Sequence, residues 1–250
     1  MNIIILCAGS GRRIDIDKPK CLLKINGKTI LDRTLNLLRK NNQKNKNIIF
    51  ALGYKNNMIK KIIKNKYNYF INKKYAQTNM VYSLFGCLSK IKIEDTVILY
   101  GDIYYTQEII DKILKSKNDI TTAIDKNWKK IWKLKDNFHD DLETLKIKKN
   151  KITEIGGKTN EISSIDGRYI GATKFNKKTI NFFIKFYSKK IKLGSTKYTK
   201  LDMTSLLMIM IKKGYKLSYK SINSFWYEFD NKKDIEIFDL YESKFKNKKS

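Results

Sequence analysis

An apolar run from Asn2 to Ala8 breaks directly into Gly9-Ser10-Gly11-Arg12-Arg13, with Lys18-Pro19-Lys20 a few residues on. A run of that length without a polar face reads as a strand buried on both sides, as in a sheet covered by helices. The same pattern recurs downstream. Strands are predicted at Asn47 to Leu52, Tyr69 to Asn72, Thr96 to Tyr100 and Ile120 to Asp125. Helices are predicted between them at about Thr29 to Arg39, Asn57 to Lys64, Asn79 to Leu88 and Gln107 to Leu114. Past an unpatterned stretch through Trp128, Trp132 and His139, Leu145 to Ile155 and Arg168 to Phe175 read as antiparallel strands. Helices at Lys177 to Lys189 and Leu201 to Lys212 follow, then a strand from Lys216 to Phe229 broken near Asn223-Ser224, and a terminal helix from about Lys232 to Phe245. Strands alternating with helices favour an α/β sheet over a bundle or a sandwich. With 250 residues and 42% hydrophobic composition, one domain can close its own core.

The net charge of +29 invites a nucleic-acid or anionic-membrane reading. Lys outnumbers Arg nearly ten to one and is spread along the whole chain, whereas base readers draw on Arg for bidentate contacts, so no nucleic-acid partner is expected. Cys7, Cys21 and Cys87 are too few and too scattered for a disulfide framework, and the lone His139 has no Cys partners for zinc. No apolar run approaches the ~18 residues of a membrane span, and Met1 leads into the first strand without a basic leader segment. A reduced cytoplasmic setting without membrane insertion is the expectation.

Glycines after a buried strand let backbone N–H groups approach phosphates, and Arg13 and Lys20 supply fixed positive charge. The P-loop ending Gly-Lys-Ser/Thr is absent, and Arg13 stands near where the dinucleotide fingerprint needs its third Gly. Gly101-Asp102 closes the strand Thr96 to Tyr100 at the end where open α/β sheets place ligands, although an Asp there is also an ordinary turn residue. Glu228 and Asp230 fall on one face of a late strand, and Asp230 could equally cap the helix that follows. Asp102 and Asp230 could share one Mg²⁺, which commonly takes only one or two protein carboxylates.

The pattern strand–Leu-x-Ala-Gly-x-Gly-x-Arg–Pro-Lys, carried by Leu6, Ala8, Gly9, Gly11, Arg13 and Lys20, resembles the signature loop of the sugar-nucleotide pyrophosphorylase superfamily of nucleotidyltransferases, with Cys7 where a small apolar residue is usual. Tyr75-x3-Asn79-Met-Val-Tyr-Ser83 is similar to its cytidylyltransferase branch, which includes choline-phosphate and phosphonate enzymes. The stretch Trp128-x3-Trp132 through Asp141-x-Glu143, with Glu154-Ile-Gly-x-Lys158 and Gly167-x-Tyr169-Ile170-Gly171, resembles enzymes that cytidylylate phosphonates or phosphoglutamine; Lys135 stands where those often carry Arg, and their Pro is missing.

The resemblance implies a Rossmann-like, mixed but mainly parallel sheet flanked by helices, of the GT-A-like kind, with a small antiparallel substrate-side subdomain. It implies a nucleotide-binding part over about 1–125, a substrate side over about 126–230 and a C-terminal helix over about 231–245. The implied activity is Mg²⁺-dependent transfer of CMP from CTP to a small phosphate- or phosphonate-bearing molecule. Arg13, Lys20 and Asp102 would be catalytic. Leu6, Ala8, Gly9, Ser10, Gly11, Asn79 and Ser83 would hold the nucleotide, and Asp102, Asp230 and Glu228 the metal.

Trp128, Trp132, Lys158 and Asp202 are the acceptor candidates. Two Trp at i and i+4 can instead be core, Lys158 a solvated lysine, and Asp202 a helix cap. A sugar-1-phosphate nucleotidyltransferase using UTP or dTTP and a non-catalytic basic nucleic-acid binder are the alternatives. Assembly as a homodimer is left open.

Overall fold

A computed structural model describes residues 1–11, 17–133, 135 and 142–247, with side chains described through 242. Nine strands form one sheet: β1 (Asn2–Cys7), β2 (Ile48–Leu52), β3 (Asn68–Ile71), β4 (Thr96–Tyr100), β5 (Ile120–Asp125), β6 (Glu143–Lys148), β7 (Lys151–Lys158), β8 (Arg168–Phe175) and β9 (Leu217–Ser221). Their spatial order is β3-β2-β1-β4-β8-β5-β9-β7-β6. All neighbours from β3 to β4 are parallel, as are β5 and β9. β8 and β7 run against the other strands. The antiparallel strands β8, β7 and their neighbours therefore all belong to the one sheet. Small two-stranded ribbons, Ile103–Tyr104 with Tyr227–Glu228 and Lys24–Ile25 with Lys28–Thr29, lie outside it.

The apolar run in β1 explains the layering. Ile3, Ile5 and Cys7 join one buried cluster and Ile4 the other, so successive residues bury opposite faces of the sheet. The first face is covered by α1 (Ile30–Lys40), α2 (Asn56–Ile63) and α4 (Gln107–Leu114). The second is covered by α3 (Met80–Leu88), α5 (Lys177–Lys192) and α6 (Met203–Lys212). A last helix, α7 (Lys233–Asn247), adds Phe238 to the first cluster. Among the described residues no helix is long and apolar enough to cross a membrane. Cys7, Cys21 and Cys87 are free and buried.

The chain leaves β1, builds β2 and β3 on one side, and returns to β4 on the other. The strand order thus reverses between β1 and β4, and the ends of those two strands open a crevice. Leu6 lies opposite Tyr100, and the Gly101 N–H donates to the Leu6 carbonyl at 3.0 Å. The glycine loop and Asp102 are thereby set side by side.

Two departures from the sequence expectation have local causes. The predicted strand Leu145 to Ile155 is a hairpin, because Lys149 and Asn150 both adopt positive φ (46° and 58°), the backbone of a tight primed turn. The predicted strand Lys216 to Phe229 is two strands in two different sheets, β9 and the short Tyr227–Glu228.

Candidate active site

The crevice holds two cavities that share Met80, Tyr100, Glu228 and Asp230. One, of about 270 Å³, lies over the end of β1 and is lined by Leu6, Ala8, Gly9, Lys20, Tyr75, Thr78, Asn79, Ser83 and Asp102 besides the shared residues. The other, of about 300 Å³, lies over β8 and the β6–β7 hairpin; Glu143, Thr144, Arg168, Tyr169, Asp202 and Thr204 contribute to its wall.

Lys20 is the electrostatic centre of the first cavity. Its Nζ donates to Asp102 Oδ2 at 3.3 Å and to Asp230 Oδ1 at 3.1 Å. Burial works against its charge, yet the carboxylates of Asp102, Asp230 and Glu228 hold the ammonium above its ordinary pKa. Gly11 makes room for this arrangement: its φ is +60°, and a Cβ there would lie 2.7 Å from Lys20 Cγ. Gly9 differs, since a Cβ there would meet nothing within 4 Å, which leaves open space where the cavity meets the loop backbone. Ser10 and Gly11 line neither cavity. Arg13 lies outside the described residues, as do His139 and Asp141.

Asn79 and Ser83 enter from α3. Asn79 caps the helix, accepting from the Met80 N–H at 2.8 Å, and donates to the Lys200 carbonyl. Ser83 is buried one turn later and accepts from Asn72 Nδ2 at 2.9 Å. Both line the first cavity.

Asp230 sits in the turn before α7, held by a buried network. Asp234, fully buried, accepts from the Asp230 N–H at 2.6 Å, the Asn231 N–H at 2.8 Å and the Tyr227 hydroxyl at 2.8 Å. Lys135 Nζ lies 3.5 Å from both Asp230 Oδ2 and Asp234 Oδ1 and donates to the Glu228 carbonyl at 2.7 Å. Glu228 itself is pushed up to about 8, first by burial and then by the charge of Asp230.

Asp102 and Asp230 converge on one point of positive charge, the Lys20 ammonium, so their oxygens already face a common cation position. No cluster of three or more metal-ligating groups occurs among the described residues. Two carboxylates suit Mg²⁺, which keeps most of its waters, better than an ion that needs a full protein cage.

The acceptor candidates divide. Asp202 lines the second cavity and also caps α6, accepting from the Ser205 N–H at 2.7 Å and from the Thr204 hydroxyl at 3.2 Å. Trp128 and Trp132, acceptor candidates by sequence, are core residues. They are 1% and 2% exposed and line neither cavity, because their short helix, Lys129–Trp132, packs them into the core. Trp132 instead carries Arg168, whose guanidinium carbon lies 3.4 Å from the ring centroid. Lys158 is exposed at the end of β7 and lines neither cavity; Glu143, opposite it in the ladder, is the residue of that pair that does.

Arg168, Tyr100 and Tyr169 line the cleft but are absent from the sequence candidates. For Arg168 a signal existed: it is one of five Arg in a chain that otherwise uses Lys.

Comparison with known proteins places this geometry. Residues 3–154 match the family described as a MobA-like NTP transferase domain. The CTP:phosphoglutamine cytidylyltransferase of Campylobacter jejuni is 33% identical, over 95% of this chain and 98% of its own length. Among solved structures, the fold is similar to the inositol-1-phosphate CTP transferase of T. maritima, with a TM-score of 0.72, 18% identity, and coverage of 95% of this chain and 94% of that one. It is also similar to the CTP:phosphocholine cytidylyltransferase of Streptococcus pneumoniae, with a TM-score of 0.71, 19% identity, and coverage of 96% and 98%.

Proposed function

This chain belongs to the MobA-like NTP transferase family, and from that premise we propose that it transfers CMP from CTP to a small phosphorylated acceptor and releases pyrophosphate. One observation carries the assignment: the chain is similar end to end to a CTP:phosphoglutamine cytidylyltransferase. The two joined cavities support it, since the reaction needs two anionic molecules to meet at one point.

A phosphate oxygen of the acceptor attacks the α-phosphorus of CTP, and the bond from that phosphorus to the bridging oxygen of the β-phosphate breaks. No base is required, because the acceptor phosphate is already an anion near neutral pH. Catalysis is then positioning and charge neutralisation. CTP occupies the cavity over β1, with its phosphates on the backbone of the Gly9 loop and beside Lys20. Asn79 and Ser83 face the nucleotide from α3. Lys20, held between Asp102 and Asp230, opposes the charge that builds on the departing pyrophosphate. Asp102 and Asp230 would hold Mg²⁺, with Glu228 accessory to them. The ion, when bound, supplies Lewis-acid neutralisation of phosphate oxygens.

The acceptor fills the cavity over β8. Glu143 and Asp202 share the Thr204 hydroxyl there, at 3.5 and 3.2 Å, and give that wall negative charge. This supports an acceptor with an ammonium, such as phosphoglutamine, over a neutral sugar phosphate. Pyrophosphate release with CTP, UTP, dTTP, ATP or GTP, each against phosphoglutamine, phosphocholine, 2-aminoethylphosphonate and glucose-1-phosphate, tests the assignment. CTP with an amine-bearing acceptor is the expected pair; turnover restricted to UTP or dTTP with the sugar phosphate contradicts it.

A further inference from the structure

We infer that Arg168, seated on the indole of Trp132, grips the phosphoryl group of the acceptor; the inference rests on the cytidylyltransferase assignment above. An acceptor phosphate carries up to two negative charges into a cavity whose acidic lining residues, among the described residues, are Glu143, Asp202, Glu228 and Asp230. A cation must offset them. Lys20 is engaged by Asp102 and Asp230 in the cavity over β1, and Lys158 is exposed and lines neither cavity. Arg168 is the cationic side chain that lines the acceptor cavity among the described residues.

Its mounting suits the task. The guanidinium carbon lies 3.4 Å from the Trp132 ring centroid, a van der Waals stacking distance, so the planar group rests flat on a buried indole. Stacking fixes the plane of a guanidinium, whose forked donors match two phosphate oxygens at once. The backbone is fixed as well, because Arg168 opens β8 and lies opposite Asp125 of β5. Trp132 thus acts as a positioning residue through Arg168, which gives this buried ring a part in acceptor binding without contact to the acceptor.

The test uses the full-length protein, with Arg168→Ala, Arg168→Lys and Trp132→Leu variants checked for fold by circular dichroism. Calorimetric titration with phosphoglutamine, with inorganic phosphate and with CTP is run on each, alongside the Michaelis constants. Arg168→Ala is expected to weaken phosphoglutamine and phosphate binding roughly 10- to 100-fold, the scale of lost hydrogen bonds to a charged group, with CTP binding unchanged. Arg168→Lys, which keeps the charge and loses the flat fork, falls in between, and serves alone if Arg168→Ala does not fold. Trp132→Leu raises the Michaelis constant for phosphoglutamine and spares that for CTP. Unchanged phosphoglutamine binding in the Arg168 variants overturns the inference, as does equal loss of CTP and phosphoglutamine, or absence of phosphate and phosphoglutamine binding in the wild type. If the wild type binds phosphate through Arg168 but turns over no acceptor with CTP, the transferase assignment falls and the anion site stands.

Discussion

Lys20 and Asp230 are 210 positions apart in sequence, yet the Lys20 Nζ donates to Asp230 Oδ1 across 3.1 Å. The segment after β1 and the turn before α7 therefore meet over one cleft, with Asp102 from the end of β4 as the third member. Loss of Lys20 would leave facing carboxylates and an unopposed triphosphate. Lys20→Ala is predicted to cost about 3–4 kcal/mol of transition-state stabilisation, seen as a matching fall in kcat/KM with CTP, while the circular-dichroism spectrum is unchanged. A folded Lys20→Ala protein with near-wild-type kcat contradicts the role.

Gly11 controls where Lys20 lies. A Cβ at this position, already at φ +60°, would meet Lys20 Cγ at 2.7 Å. Gly11→Ala is predicted to cost about 1 kcal/mol of stability from backbone strain and to lower kcat by displacing the lysine stem. Gly9→Ala meets nothing in the protein and is predicted to leave stability nearly unchanged while raising the Michaelis constant for CTP. Melting temperature and steady-state kinetics on the two variants separate the effects.

Asp234 concerns stability first. It is fully buried and accepts three hydrogen bonds, with Lys135 close by. Asp234→Ala leaves those donors unpaired and removes one of the two carboxylates beside the Lys135 ammonium, and is predicted to cost about 3–5 kcal/mol. The melting temperature should drop on the order of 10 °C for a chain of this size. Tyr227→Phe removes one of the three bonds and should cost about 1 kcal/mol.

Much of this was legible in residue pattern, for physical reasons. The strands Thr96–Tyr100 and Ile120–Asp125 were legible because their side chains are buried on both faces and are mostly β-branched or apolar. The loop that sets Lys20 beside Asp102 was legible because glycines and basic residues follow such a run. The hairpin turn was hidden, since Lys149 carries no turn signal although it adopts positive φ. The Trp pair was misplaced because an i, i+4 spacing puts two rings on one helical side without saying whether that side meets a ligand or the core. The Lys135–Asp234–Asp230 network was beyond reach, because its members meet only after the chain has folded.

The buried pair of Asp125 and Trp226 predicts a pH signature away from the cleft. Trp226 Nε1 donates to Asp125 Oδ2 at 2.9 Å, and burial holds the Asp125 carboxyl above its ordinary pKa despite that bond. The native chain thus keeps this proton to higher pH than the unfolded chain, and the contribution of Asp125 to stability falls as pH rises from the ordinary carboxylate value to the raised one. The indole bond offsets part of that fall by favouring the anion. Trp226→Phe should therefore show a cavity cost at all pH and a further loss of about 1.5–3 kcal/mol that appears only as Asp125 ionises. Melting curves of both proteins from acid to neutral pH check this; parallel curves would contradict it.

The most direct measurement is phosphorus NMR of the purified protein with Mg²⁺, CTP and phosphoglutamine. Joint growth of pyrophosphate and of a new pair of coupled phosphorus signals, from the α-phosphorus of CTP joined to the acceptor phosphate, is the predicted result. Pyrophosphate and a coupled product appearing only when UTP or dTTP and glucose-1-phosphate are supplied would contradict the account.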